Sequence, residues 1–219
     1  MPDRTHMDRE REKLDRDLLD MGTRVEEQIE KARRAMRELD AELAREVKEG
    51  DRAVDALQIA LGDRVAVVIA TQAPVAQDVR ELIAALKMAD NLERAGDHAV
   101  HLAKAVKKFA EEPPFRQVER LDRMAAAGSA MVRGAVDAYL ARDPQAARRV
   151  AAMDDAIDGE HKALVEEVLT LMRERPEQAE RAAKLLSTSG FLERLGDHVT
   201  NACEAVVFMV EGRHVDLNE

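Results

Sequence analysis

One seven-residue block occurs twice in this 219-residue chain and constrains its fold more than any other feature. Leu92-Glu93-Arg94-Ala95-Gly96-Asp97-His98 returns one hundred residues later as Leu192-Glu193-Arg194-Leu195-Gly196-Asp197-His198, with six of the seven positions identical. Upstream in each half, Asp51-Arg52-Ala53-Val54-Asp55 is echoed by Asp154-Asp155-Ala156-Ile157-Asp158, 103 residues on. Two matched blocks in the same order, at nearly the same spacing, mark a duplication. The chain must therefore fold as two copies of one unit.

Composition says what kind of unit. Aromatics make up 2% of the residues, with one Tyr, four Phe and no Trp. The apolar side chains are almost all Ala, Leu, Val, Ile and Met, which favours long helices over sheet. Breakers divide each half into three. A helix from about Asp8 ends near Leu39, and Asp40 can cap the next, which runs to about Gln72 before Pro74. A third spans about Val75 to Ala110. Glu111-Glu112-Pro113-Pro114 reads as the linker. In the second half, helices are expected from Val118 to Ala141, from a cap at Asp143-Pro144 to about Arg173, and from Pro176 to Gly212. The expected fold is all-α: two tandem antiparallel three-helix bundles, covering residues 8–111 and 116–213.

The formal net charge of −10 disfavours nucleic acid, whose phosphates call for a basic footprint. The basic run Lys31 to Arg37 is interleaved with Glu30 and Glu38 and reads as a solvated face with pairs such as Glu30–Arg34. The N-terminus has no apolar leader, and no apolar stretch nears the roughly 20 residues of a membrane span. A single cysteine, Cys203, has no internal partner and falls on the packed side of its helix. A cytoplasmic protein without membrane insertion is expected.

On a helical wheel, Leu92, Ala95, Gly96, Ala99, Ala103 and Val106 gather on a packed side. Asp90, Glu93, Asp97 and His101 share an arc of about 80° away from it. Glu193, Asp197, Asn201 and Glu204 take the same arc in the second half. Asp51 with Asp55, and Asp154 with Asp158, repeat the i,i+4 acidic pairing on the preceding helix. Like charges so spaced repel by a few tenths of a kcal/mol on an isolated helix, roughly as much as opposite charges attract. Two such helices side by side would offer four carboxylates across one groove, a fit for Mg²⁺, Mn²⁺ or Ca²⁺, or for iron or zinc with an added imidazole. Solvated acidic faces are the competing explanation, and the pattern alone leaves both open. His98 and His198 lie about 100° off the stripe and read as interhelix or surface residues rather than ligands. No phosphate loop, nucleophile elbow, Cys-x-x-Cys pair or facing pair of Glu-x-x-His motifs appears, so catalysis is not expected.

Taken together, the LERAGDH and LERLGDH blocks, each about forty residues after DRAVD or DDAID, resemble the duplicated signature of the PhoU family. Gln72-Ala73-Pro74-Val75-Ala76-Gln77-Asp78-Val79-Arg80 is similar to that family's junction between its second and third helices, and Asn201, Glu204 and Gly212 fit the end of its second repeat. The resemblance spans about residues 12 to 215. It implies divalent or trivalent metal ions, as multinuclear iron or zinc clusters in some members, held by Asp51, Asp55, Glu93, Asp97, Asp154, Asp158, Glu193 and Asp197, with Asp90, His101 and Asn201 as further candidates. It also implies a homodimer that represses the phosphate-starvation response by coupling the phosphate ABC transporter, through its ATPase, to a sensor histidine kinase. A metal-dependent enzyme or metal-storage protein using the same groove is the alternative.

Overall fold

The fold, taken from a computed structural model, is described for residues 4–109 and 116–218. Among these, seven α-helices and one 3₁₀ turn are present, and no strand. The helices are α1 (Arg4–Glu38), α2 (Ala41–Gln72), α3 (Ala76–Phe109), α4 (Val118–Ala141), α5 (Pro144–Ala151), α6 (Asp154–Glu174) and α7 (Ala179–Glu211). The linker expected at residues 111–114 lies outside the described residues.

Local chemistry sets most boundaries. On α1, Leu14, Leu18, Met21, Val25, Ile29, Ala32 and Met36 recur every three or four residues and are all buried, the stripe expected of a helix packed on one side. Asp40 caps α2, its carboxylate accepting from the N–H groups of Glu42 at 2.9 Å and Leu43 at 3.0 Å. Asp143 does the same for α5, with Pro144 at the first helical position. Each cap contributes about 1 kcal/mol. Gly212 closes α7 in the left-handed region, at φ +70°. Pro176 begins a 3₁₀ turn (Pro176–Gln178) rather than the last helix itself.

One boundary departs from expectation. The helix predicted from Pro144 to about Arg173 is broken at Ala152 and Met153 into α5 and α6. Both residues keep right-handed helical backbone angles, and the Met153 N–H bonds back to the Val150 carbonyl at 3.0 Å in a tighter turn. The break places Asp154 and Asp155 in the first turn of α6, where carboxylates meet the positive end of the helix dipole. Its counterpart α2 is unbroken, so Asp51 sits mid-helix.

Helices α1, α2 and α3 pack on one another, as do α4, α6 and α7, and the halves meet where α3 lies on α7 and α1 on α4. Small residues on α3 (Ala84, Ala85, Ala89, Ala95, Ala99, Ala103) are buried and allow this close approach. Between α1 and α4, Arg33 bonds Asp122 at 3.1 Å and Arg142 bonds Asp15 at 3.1 Å, while Arg133 pairs with Glu26. The basic run is thus more than a solvated face. Arg33, not Arg34, takes Glu30 at 2.8 Å, and its side chain is only 15% exposed. Arg34 turns to Glu38 instead.

Candidate metal centre

The repeated blocks occupy matching places. Residues 91–100 and 191–200 share an identical sequence of buried, half-buried and exposed positions. In each, the leucine and glycine are buried while Glu93, Asp97, Glu193 and Asp197 are half-buried. A glycine in the middle of a helix costs about 1 kcal/mol against alanine, and the neighbours explain both. A Cβ on Gly196 would stand 2.0 Å from Asp154 Oδ1, and one on Gly96 would stand 3.0 Å from Gln28 Oε1 and 3.7 Å from Asp51 Oδ1. The glycines let a carboxylate of the preceding helix lean onto the backbone of α3 or α7.

The four carboxylates of each half therefore feel one another. Burial pushes Asp51 up from the ordinary carboxylate range, and the charges of Asp55 and Asp97 push it further. Glu93 is raised by burial and then by Asp97, with Asp55 and Asp51 adding to it. In the second half, burial and the charges of Asp158, Asp197 and Glu193 raise Asp154 to about 7. Glu193 and Asp197 are also raised, burial leading in both. Asp154 Oδ1 is buried without a hydrogen-bond partner; Thr200 reaches only Oδ2, at 3.4 Å. Among the described residues, no three His, Cys, Asp or Glu side chains are drawn into a ligating set.

The further candidates are placed differently. Asp90 is exposed and accepts from Gln58 Nε2 of α2 at 2.8 Å. His101 stacks on Phe191 of α7, with ring centroids 4.2 Å apart and planes at 9°. Asn201 is half-buried on α7. His98 and His198 meet between the halves, their rings stacked at 5.5 Å, and His198 Nδ1 lies 3.1 Å from Asn91 Oδ1. Burial, helped by the neighbouring His198 and His101, lowers His98 to about 4. His98 and His198 thus pack between the helices that join the halves. Cys203 is buried, which pushes its thiol up to about 12 and leaves it unreactive.

Comparison with known proteins now bears on these paired grooves. The sequence model of the PhoU domain matches twice, at residues 18–106 and 121–206. A phosphate-specific transport system accessory protein PhoU homolog of Clostridium acetobutylicum is 34% identical over 209 residues, 95% of either chain. The chain belongs to the PhoU family. A PhoU homolog of Zymomonas mobilis is 36% identical, covering 90% of this chain and 84% of that one. The crystal structure of PhoU from Pseudomonas aeruginosa matches with a TM-score of 0.90 at 31% identity, covering 94% of this chain and 99% of that one. The phosphate transport system regulatory protein PhoU of Streptococcus pneumoniae gives 0.89 at 30% identity, covering 96% and 99%.

Within this family frame, the two grooves are not equivalent. In the first, Arg94 bridges Glu93 and Asp97, at 3.4 Å from each, and Gln28 donates to Asp51 at 3.4 Å. In the second, Arg194 lies over the Phe191 ring instead. At the offset of 103 that relates Asp51 to Asp154, Met131 stands where the first half has Gln28, and it carries no amide. Arg194 still acts on Glu193 and Asp197 through its charge, but from the ring rather than as a bridge. The second groove also gathers residues that sequence reasoning set aside. His161, which the sequence reading did not single out, partly offsets the rise of Glu193 by its charge and bonds Ser189 at 3.0 Å. Lys162 and Asp216 share a cavity wall with Asp154, Asp158 and Asp197. The Asp158-x-x-His161 spacing was the available signal for His161; for Asp216 there was none.

The glycine contacts give a differential test. Gly196→Ala forces Asp154 off its seat and should lower cation binding by the second groove about tenfold or more. Gly96→Ala presses only on the flexible end of Gln28, standing at ordinary contact distance from Val25 and Asp51, and should change the first groove far less. Dialysis against Zn²⁺ checks this; equal losses from the two variants would contradict the placement.

Proposed function

We propose that this chain is an accessory and regulatory protein of phosphate transport, binding metal ions in its two acidic grooves and restraining the phosphate-starvation response. The family membership supports the regulatory role, since the relatives named above are accessory or regulatory proteins of phosphate transport. The observation that carries the metal reading is the mutual charge repulsion among the carboxylates of each half, with Asp154 raised to about 7 and its buried Oδ1 without a hydrogen-bond partner. The donor set suits an oxygen-seeking cation. Asp51, Asp55, Glu93 and Asp97 would hold it in one half, and Asp154, Asp158, Glu193 and Asp197 in the other. A bound cation supplies positive charge that neutralises the groove and ties α2 to α3 and α6 to α7.

Regulation then proceeds by binding. Among the described residues, no helix is long and apolar enough to cross a membrane. Long helices expose extended faces, and Ile59, Val67, Ile69 and Val75, on α2 and the turn after it, are 46–63% exposed. Exposed apolar groups of this kind suit protein contact. The partners are the ATPase of the phosphate transporter and a sensor histidine kinase, whose active population shifts with the transporter's state. Deleting the gene should leave phosphate-starvation genes active in phosphate-replete medium. A reporter strain without a paralogue reads this, and normal repression there would overturn the regulatory reading.

A further inference from the structure

We propose that the segment following α7 is a strap over the second acidic groove, with Asp216 as an additional carboxylate toward the cation held there. The proposal rests on the metal reading above and concerns how one of the two grooves retains its ion.

The strap is built by local chemistry. Gly212 turns the chain out of α7 at φ +70°, and its N–H still bonds the Phe208 carbonyl at 2.9 Å. His214 then stacks on Phe208, with ring centroids 4.4 Å apart and planes at 10°. Val215 and Leu217 pack against the core. The Leu217 N–H donates to Glu204 Oε1 at 2.9 Å, tying the strap to the helix that carries Asp197. Val215 and Leu217 are half-buried while Asp216 between them is exposed, and Asp216, Leu217 and Asn218 all line the cavity of the second groove.

What Asp216 meets there is a cavity of about 610 Å³ whose wall also holds Asp154, Asp158, Asp197 and Lys162. The Asn218 N–H donates to Asp216 Oδ1 at 3.1 Å, fixing one oxygen. Arg148, on the same wall, is already bonded through both terminal nitrogens to Glu211, at 2.8 and 3.0 Å. A carboxylate on the same wall as Asp154, Asp155, Asp158 and Asp197, faced by Lys162 and by an Arg148 already bonded to Glu211, gains from a cation between them. The buried Asp154 Oδ1, which has no hydrogen-bond partner, is a separate observation on the same wall. An ion under a strap leaves only when the strap lifts, so release is slowed.

The test uses the full chain with the first groove silenced by Asp51→Asn and Asp97→Asn, and Zn²⁺ as the probe. Affinity is read by equilibrium dialysis and release by mixing with a chromogenic chelator. Adding Asp216→Asn should weaken Zn²⁺ binding about tenfold and speed its release. Leu217→Ala leaves every charge in place and only loosens the strap; it should speed release a few-fold with a smaller change in affinity. If neither substitution alters affinity or release, the strap is overturned while the cation reading stands. If the background protein binds no Zn²⁺ at all, the cation reading of the second groove fails and takes the strap with it. Helicity by circular dichroism confirms that each variant is folded.

Discussion

In metal-free protein at pH 8, Asp154→Asn will make the fold more stable by about 1–2 kcal/mol, and the gain will vanish near pH 4. Burial, followed by the charges of Asp158 and Asp197, raises this carboxyl from 3.8 to about 7. The folded chain therefore keeps a proton that the unfolded chain has lost. Stability falls as pH rises from about 4 through about 7, and above that range the folded state carries the full cost of an unpaired charge. A shift of three pKa units corresponds to about 4 kcal/mol. Asp154 is only half-enclosed, and water screens much of that, leaving about 1–2 kcal/mol. An amide of the same shape removes the charge and keeps an acceptor for Thr200. The melting temperature should rise by roughly 2–8 °C at pH 8. Saturating Zn²⁺ should reverse the ranking, because the wild-type groove gains the binding free energy and the variant gains less. Thermal melts at pH 4 and pH 8, with and without the metal, read all of this. A wild-type protein whose stability is flat from pH 4 to 8, with no gain from Asn, would contradict it. Activity bought at the expense of stability is common at binding sites.

Those elements whose cause is local were legible in the sequence. Asp40, Asp143, Pro144 and Gly212 act through their own backbone geometry, so their roles follow from residue type and spacing. The duplicated blocks announced two like units, and the wheel correctly separated packed Leu92, Ala95 and Ala99 from half-buried Glu93 and Asp97. What escaped was set by neighbours from elsewhere in the chain. Ala152 and Met153 are good helix formers, so nothing local announces the break between α5 and α6. Asp90 and Asp97 share an arc of one helix, yet Gln58 from α2 engages the first. His101 shares it too, and Phe191 from α7 covers its ring. Asp216 reaches the second groove only because Gly212 reverses the chain and Leu217 finds the core. The inequality of the two grooves is invisible in motifs that match so closely.

The central claim is that the paired acidic lines are cation sites, and metal content decides it. Asp97 and Asp197 hold the same place in the two blocks, and each raises a carboxylate of the neighbouring helix, Asp51 in one half and Asp154 in the other. Neither lies in the packed core, so the double variant Asp97→Ala with Asp197→Ala should keep its helicity and lose like-charge repulsion. A ligand lost from a carboxylate site should cost at least the ten- to hundredfold in affinity typical of an outer-shell partner. The measurement is elemental analysis of wild-type and double-variant protein purified side by side without chelator. The expected result is stoichiometric iron or zinc in the wild type and less than about a tenth of that in the variant. The same metal content in both proteins, at unchanged helicity, would contradict the account.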